Sequence, residues 1–430
     1  SAWVNTDVNA TGDQVGYDGS NDAWLITKTA GSFARNAQGV SKSGVQSFSV
    51  YSKANTLTWI RLLGIGSANN PYAYYDLSNG VLGSVHSSAI DANIVSVGNG
   101  WYRCDLILSD TLSEVRIYPA TGDGDLSTTG TIYIQDAQLE SSMVATDYIE
   151  TGASTAQAGI LEDMPRLDYS GGASCPSLLL EPQRSNLVTQ SEYLLGYFAT
   201  DGTTLSHNHG VSPEGVDNSV LITQTGAAAS NSIYNFNLPT TDGTYSYSFF
   251  FKAGTSTLCR FYCGTGVTEN FNPQNVTAGY TGGSLNLRFE DYGNDWWRVS
   301  ANQTLSGAST NRFAFNPDYG NSGGNVEIYG FQIEVGSYPT SYIPTYGTSQ
   351  TRSNESASVL NLDTNNIVGD TQWSVLAEFD VDGNAPSTDK IRLTNATNNP
   401  RVYVYNDAAG FAGGWGGAMT AGQNRVKILW

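Results

Sequence analysis

The 430-residue sequence predicts an all-β protein of serial sandwich domains, and three observations predict it. The first is composition. Glycine (47), tyrosine (25) and tryptophan (9) are plentiful and only 14% of residues are charged. That mix suits short strands and turns rather than helices, which favour Ala, Leu, Glu and Lys. The second is a period of two. Phe48 and Val50 alternate with Ser47 and Ser49, and Tyr245, Tyr247 and Phe249 alternate with Ser246 and Ser248. Alternation of this kind marks a strand with one buried face. Asn79-Gly80, Asn99-Gly100, Gly282-Gly283 and Gly323-Gly324 punctuate such runs as turns. The third is an internal repeat, since this length allows about two to four domains.

The repeat sets the boundaries. Phe48-Ser-Val-Tyr-Ser-Lys53-Ala54 returns as Tyr247-Ser-Phe-Phe-Phe-Lys252-Ala253. Trp101-Tyr-Arg103 returns as Trp296-Trp-Arg298, Gln138-Leu-Glu140 as Gln332-Ile-Glu334, and Tyr148-Ile149 as Tyr342-Ile343. Four landmarks in one order, 194 to 199 residues apart, indicate two copies of one β-domain. Copy one is placed at 1–152 and copy two at 186–351. The first copy has no counterpart to Leu187-Val-Thr-Gln190-Ser191, so its opening strand is expected upstream of Ser1. Residues 153–185 form an extended connector, too apolar for a free Gly/Ser linker. From about 357 new strand-like runs begin, including Gln372-Trp-Ser-Val-Leu-Ala-Glu378, Val402-Tyr-Val404 and Arg425-Val-Lys-Ile-Leu429. This stretch, 352–430, is short for a large sandwich, and a continuation in the natural protein is expected.

With 39 acidic against 20 basic residues the net charge is −19, which repels phosphate backbones and argues against nucleic acid as a partner. Yet 40% of residues are hydrophobic and 11% aromatic, enough for real cores. No apolar run approaches the ~20 residues of a membrane-spanning helix. Cys104, Cys175, Cys259 and Cys263 are too few for a disulfide framework. On one strand Cys259 and Cys263 would stand about 13 Å apart, too far to bridge, and no His or second thiol pair completes a zinc site.

Two phrases carry a family resemblance. They are Leu178-Leu-Leu-Glu181-Pro-Gln-Arg184-Ser-Asn186-Leu187-Val-Thr-Gln190-Ser191 and Gly330-Phe-Gln332-Ile-Glu334-Val-Gly-Ser-Tyr-Pro339-Thr-Ser-Tyr342-Ile-Pro344-Thr. They resemble phrases of bacteriophage tail-fibre and head-fibre proteins. In that family they bracket a jelly roll similar to carbohydrate-binding modules, often followed by a concanavalin A-like (laminin-G-like) sandwich. The resemblance thus implies two tandem jelly rolls and, from Ser358, the first part of a concanavalin A-like domain. Copy one departs from it at Ser141-Ser-Met-Val144, where the Gly/Pro-bearing stretch is replaced. Physically, Pro339 and Pro344 stop strand pairing, and Gln332 and Glu334 are placed to satisfy backbone groups where the chain leaves the sandwich.

No catalytic residue is expected. His207 and His209 share a face if they lie on a strand, but no third ligand is legible; a solvated loop is the plainer reading. Glu378, Asp380 and Asp382 share one face of a strand, spaced about 6–7 Å, and loosely resemble the active-site strand of concanavalin A-like glucanases. An exposed face running into the turn Asp382-Gly-Asn384 is the plainer reading. For a structural calcium ion the candidates are Asp123 and Asp125 in an acidic loop and Asp136, which stands where similar jelly rolls hold an ion; copy two has Gly330 there. For a glycan the candidates are Tyr72, Tyr74 and neighbouring Tyr75, and Trp415 in a glycine-rich loop. Core packing is the competing reading for each.

The resemblance implies a structural fibre or spike of a virion, at its surface and extracellular. Other virion proteins would be its partners, host surface polysaccharide its candidate ligand, and a homo-oligomer, in that family commonly a trimer, its assembly. The alternative is the non-catalytic carbohydrate-binding region of a secreted polysaccharide-degrading enzyme. A third reading makes 357–430 part of a glucanase. Apart from calcium, no cofactor is expected.

Overall fold

The computed structural model describes residues 3–152, 154–156, 166–168, 177–194, 199–200, 202–226, 233–235, 238–321 and 323–355, and the backbone of six later strands. Among the described residues every regular element is a strand. The first jelly-roll sandwich comprises β1 (Trp3–Thr6), β2 (Val8–Gln14), β3 (Ala23–Lys28), β4 (Arg35–Lys42), β5 (Val45–Ala54) and β6 (Trp59–Gly66). It continues with β7 (Tyr72–Asp76), β8 (Val81–Val85), β9 (Ala89–Gly98), β10 (Trp101–Ser109), β11 (Leu112–Ala120) and β12 (Gly130–Glu140). One sheet has the order β1-β4-β11-β6-β7-β8, the other β2-β3-β12-β5-β10-β9. The alternation read from the sequence places Phe48, Val50, Cys104 and Leu106 of one sheet against Ile60, Leu62, Tyr75 and Ile117 of the other. Buried Tyr75 satisfies its hydroxyl by donating to the Asp105 carbonyl at 2.6 Å.

The connector holds β13 (Leu167–Asp168) and β14 (Ser177–Leu178), which pair with each other. The second sandwich follows with β15 (Arg184–Asn186), β16 (Ala199–Thr200), β17 (Thr203–Ser206), β18 (Val220–Gln224), β19 (Ile233–Asn235), β20 (Gly243–Ala253) and β21 (Cys259–Gly264). After these come β22 (Val267–Phe271), β23 (Gly279–Tyr280), β24 (Arg288–Gly293), β25 (Trp296–Leu305), β26 (Arg312–Asn316), β27 (Asn325–Val335) and β28 (Gln350–Arg352). Its sheets run β16-β19-β26-β21-β22 and β17-β18-β27-β20-β25-β24-β23. Its two sheets repeat those of the first sandwich with β23 added and no counterpart to β8, and the β15–β28 pair is a further addition. Its core is more aromatic: the Phe249 ring lies 4.9 Å from Phe331 and Phe315 and 5.5 Å from Phe261. Arg184, Ser185 and Asn186 pair with β28, so part of the stretch read as connector is a strand of copy two.

The shared landmarks lock the end of each sandwich. Ile343 N–H donates to Gln332 Oε1 at 2.7 Å, Gln332 Nε2 donates to the Thr340 carbonyl at 3.1 Å, and Thr340 N–H donates to Glu334 Oε2 at 2.7 Å. Arg298 donates to the same Thr340 carbonyl at 2.7 Å and to Ser248 Oγ at 2.9 Å. Copy one repeats the arrangement: Ile149 N–H meets Gln138 Oε1 at 2.8 Å, Thr146 N–H meets Glu140 Oε1 at 2.9 Å, and Arg103 reaches Ser49 and the Thr146 carbonyl.

The chain forms two compact units. The first contains both sandwiches, joined where Val45, Ile107 and Met143 pack with Tyr193 and Tyr346. The second contains β13, β14 and the C-terminal strands β29 (Ser374–Val381), β30 (Ile391–Thr394), β31 (Pro400–Val404), β32 (Ala408–Phe411), β33 (Trp415–Ala418) and β34 (Gly422–Leu429). There β29 pairs with β34, while β30 to β33 form a four-stranded meander. Arg166 bridges Glu181 at 2.8 Å and Glu355 within this unit.

Candidate functional site

The outer face of the sheet β1-β4-β11-β6-β7-β8 gathers the chemistry of the first sandwich. Because Ile60, Leu62, Tyr75 and Ile117 point inward, their strand neighbours Trp59, Arg61, Tyr74 and Tyr118 point outward. Register aligns Tyr118, Arg61 and Tyr74 in one row across β11, β6 and β7, and Arg116, Leu63 and Tyr72 in the next. The Arg61 guanidinium carbon lies 4.2 Å from the Tyr118 ring centre, 5.5 Å from Tyr72 and 5.6 Å from Tyr74. Its Nη1 donates to the Tyr74 hydroxyl at 3.3 Å. Three electron-rich faces around one cation are a favourable cation–π arrangement.

Tyr74 and Tyr118 are buried beneath the arginines, whereas Tyr72, Trp59 and Arg61 stay half-exposed. Of the predicted sugar platforms, Tyr72 therefore presents a partly open ring, edge-to-face with Tyr74 at 5.7 Å and beside His86 at 5.1 Å. Tyr74 is bedding for Arg61, and Tyr75 is core. Trp415 lies on β33, and its side chain is outside the described residues. The face has few free carboxylates. Arg116 donates from Nε to Glu114 at 2.6 Å. Asp76 accepts from Ser78 N–H at 2.9 Å and Asn79 Nδ2 at 2.8 Å, and Asp123 accepts from Ser84 N–H at 2.9 Å and Ser84 Oγ at 2.8 Å.

The calcium candidates are not brought together. Asp123 serves β8, Asp125 accepts from Ser127 N–H at 2.8 Å, and Asp136 faces Asp22, Asp18 and Tyr17. Burial, with Asp22 adding to it, raises the Asp136 carboxyl to about 6. Among the described residues no three His, Cys, Asp or Glu side chains form a metal-holding group. Asp136 and Gly330 are matched for a backbone reason: both sit at a bulge with positive φ, 51° and 66°.

His207 and His209 do not share a strand face, because β17 ends at Ser206 and Asn208 between them takes a φ of 50°. His207 Nε2 accepts from Leu194 N–H at 3.2 Å, and burial lowers its pKa to about 4, which keeps it neutral. His209 Nδ1 instead faces Glu327 at 3.6 Å. Cys104, Cys259 and Cys263 are free, buried thiols; Cys175 lies outside the described residues. Glu378 and Asp380 fall on β29, while Asp382 and the three side chains lie outside the described residues.

Two features were missed at the sequence level. One is Arg61 with Tyr118. The offset of 199 that matches Lys53 to Lys252 also matches Arg61 to Arg260, a signal the sequence contained. The other is Glu192, 1% exposed. Tyr346, Tyr342 and Tyr329 place their hydroxyls 2.9, 3.0 and 3.3 Å from its Oε1, and Asn218 Nδ2 donates to Oε2 at 3.1 Å. Burial, reinforced by Glu214, raises its pKa to about 8. The group ties the stretch after Asn186 to Tyr342 and Tyr346, so it is an architectural hub.

No protein-family model matches the chain, and no curated protein sequence matches it. Among solved structures it is similar to the N-terminal CBM22-1–CBM22-2 tandem domain of Xyn10C from Paenibacillus barcinonensis. The identity is 12% over 78% of this chain and 94% of that one, with a TM-score of 0.25. It is also similar to the exo-β-1,3-galactanase Pc1,3Gal43A from Phanerochaete chrysosporium, solved with galactose. There the identity is 11% over 76% of this chain and 82% of that one, with a TM-score of 0.22.

Proposed function

We propose that the chain is a non-catalytic carbohydrate-binding region whose first sandwich holds a glycan on the outer face of the β6–β7–β11 sheet. The observation that carries this reading is the half-exposed Tyr72 and Trp59 beside Arg61, held in fixed register on strands. Sugar rings present C–H faces that stack on aromatic rings, and their hydroxyls accept from guanidinium groups. A site on rigid strands loses little conformational entropy on binding. The nearby carboxylates Glu114, Asp76 and Asp123 are committed to Arg116, a turn and β8, which favours holding a sugar over cleaving it.

A second reading, a virion fibre using this face on host surface glycans, rests on the two phrases around Asn186 and Gln332. Immunogold labelling of particles tests that setting. Binding itself is tested by affinity electrophoresis of the chain through a panel of neutral and acidic polysaccharides. Retardation by at least one polymer is expected, weakened about tenfold or more in Tyr72→Ala and Trp59→Ala, which remove stacking worth roughly 1–2 kcal/mol. Unchanged migration of both variants in a polymer that retards the parent would refute the site.

A further inference from the structure

We infer that the ligand is an anionic polysaccharide, read in each sandwich by an arginine at the same place in the fold. This rests on the carbohydrate-binding reading above and names its ligand class. In the first sandwich Arg61 makes no ion pair among the described residues, and the half-exposed side chain donates from Nη1 to the Tyr74 hydroxyl at 3.3 Å. In the second, Arg260 occupies the equivalent position: register sets Arg61 between Tyr118 and Tyr74, and Arg260 between Asn316 and Asn270. Arg260 lies over the Tyr319 ring at 3.1 Å and 5.9 Å from Tyr262, and its Nε donates to Asn270 Oδ1 at 2.7 Å. It too makes no ion pair among the described residues.

Arg103 and Arg298 also stack on a ring without an ion pair, but they donate to main-chain carbonyls of the lock, whereas the hydrogen bonds of Arg61 and Arg260 go to the side chains of Tyr74 and Asn270 on the sheet face. The chain carries 39 acidic against 20 basic residues, so an arginine has carboxylates in excess to choose from. Yet the acids around Arg61 are turned to other donors, and Glu269 beside Asn270 is bonded to Leu285 N–H at 2.7 Å and to Thr281. The tyrosines of the first row are exchanged for amides in the second, while the arginine is common to both. A planar guanidinium with free donors, stacked on an aromatic ring and lacking a counter-ion, is matched by a carboxylate or sulfate in bidentate geometry. Neutral sugars would leave that charge uncompensated.

The test is affinity electrophoresis and calorimetry of the intact chain with polygalacturonate (carboxylate), chondroitin sulfate (carboxylate and sulfate ester), and neutral xylan and galactan as references. Binding to an acidic polymer is expected, falling steeply as salt rises from about 0.05 to 0.5 M. Arg61→Gln and Arg260→Gln should each weaken it about tenfold, and the double variant by more than either. Polygalacturonate binding assigns a carboxylate; binding to chondroitin sulfate alone assigns a sulfate ester. Thermal unfolding of each variant checks that it folds, and Arg61→Lys, which keeps the charge without the fork, should retain the salt dependence. Salt-insensitive binding to neutral polymers alone, or acidic-polymer binding unchanged in the double variant, overturns the inference and leaves the carbohydrate reading standing. No binding to any polymer overturns both.

Discussion

A single side chain can satisfy an entire crossing of the backbone, and Asn186 does so. Its Nδ2 donates to the carbonyls of Ile343 at 2.8 Å and Phe331 at 3.1 Å, and its Oδ1 accepts from Val188 N–H at 3.1 Å and Ile333 N–H at 3.2 Å. All its usual donor and acceptor capacity is spent on buried main chain, which is costly to leave unpaired. Glu192 works beside it with a titration of its own. Its folded pKa of about 8 is above the ordinary 4.5, so its stabilising contribution is fully present below 4.5 and is lost as pH rises through about 8. His207 acts in the opposite sense: its pKa is lowered from 6.5 to about 4, so stability is lost as pH falls through that window. Above pH 6.5 the His207 contribution is complete, so the loss between pH 6.5 and about 8 belongs to Glu192. In Glu192→Gln, neutral at every pH, the loss of thermal stability between pH 6.5 and about 8 should be visibly smaller than in the parent. Equal slopes for the two proteins would mean that Glu192 is already ionised at neutral pH. The sequence made Gln332 and Glu334 legible as backbone-satisfying groups, because they recur as Gln138 and Glu140. It could not show Glu192, whose three tyrosines come from positions 137, 150 and 154 residues away.

At the level of the element, the bulge in the last long strand of each sandwich gives the difference between Asp136 and Gly330 a backbone reason. Asp136 and Gly330 stand at equivalent shifts of register, both with positive φ. An L side chain in the left-handed region costs roughly 1–2 kcal/mol, and Asp tolerates it better than most. At Gly330 there is a second penalty, since a Cβ would approach Tyr342 to 3.1 Å and Phe250 to 3.2 Å. The exchange should therefore be asymmetric. Asp136→Gly is expected within about 1 kcal/mol of the parent or above it, while Gly330→Asp should lose about 2 kcal/mol or more. Urea denaturation of the two variants provides the comparison, and equal losses would remove the backbone explanation. In the sequence the pair looked like an ion ligand present in one copy and absent from the other, because φ leaves no mark on residue type beyond a preference for Gly, Asn and Asp. The outer row on β6, β7 and β11 was half legible for a related reason. Tyr72 and Tyr74 stand together in the chain, whereas Arg61 and Tyr118 join them only through cross-strand register.

Across the whole molecule, duplication was legible because its landmarks keep the chain locked in both copies, but the joint between the copies was not. A serial arrangement of modules predicts a joint with few contacts. Instead the two sandwiches share one compact unit. Val45 N–H donates to the Tyr346 carbonyl at 3.0 Å, and Asn208 Nδ2 donates to Asp91 at 2.9 Å and to the Met143 carbonyl at 3.2 Å. Gly44 permits the approach. Its φ is 91°, and a Cβ there would stand 1.7 Å from the Tyr346 carbonyl oxygen, a collision with backbone that no rotamer change relieves. Cooperativity between domains follows the strength of such a joint, so both sandwiches should unfold together in the parent. Gly44→Ala must push the main chain at Tyr346 and Gly347 away from the turn between β4 and β5, opening the cluster around Val45, Ile107 and Met143. Each sandwich keeps its own core and its own lock. Calorimetry should then resolve the parent's shared transition into two, the earlier at lower temperature. One unsplit transition at the parent's temperature in Gly44→Ala would show that the joint transmits no stability between the sandwiches, whatever its contacts.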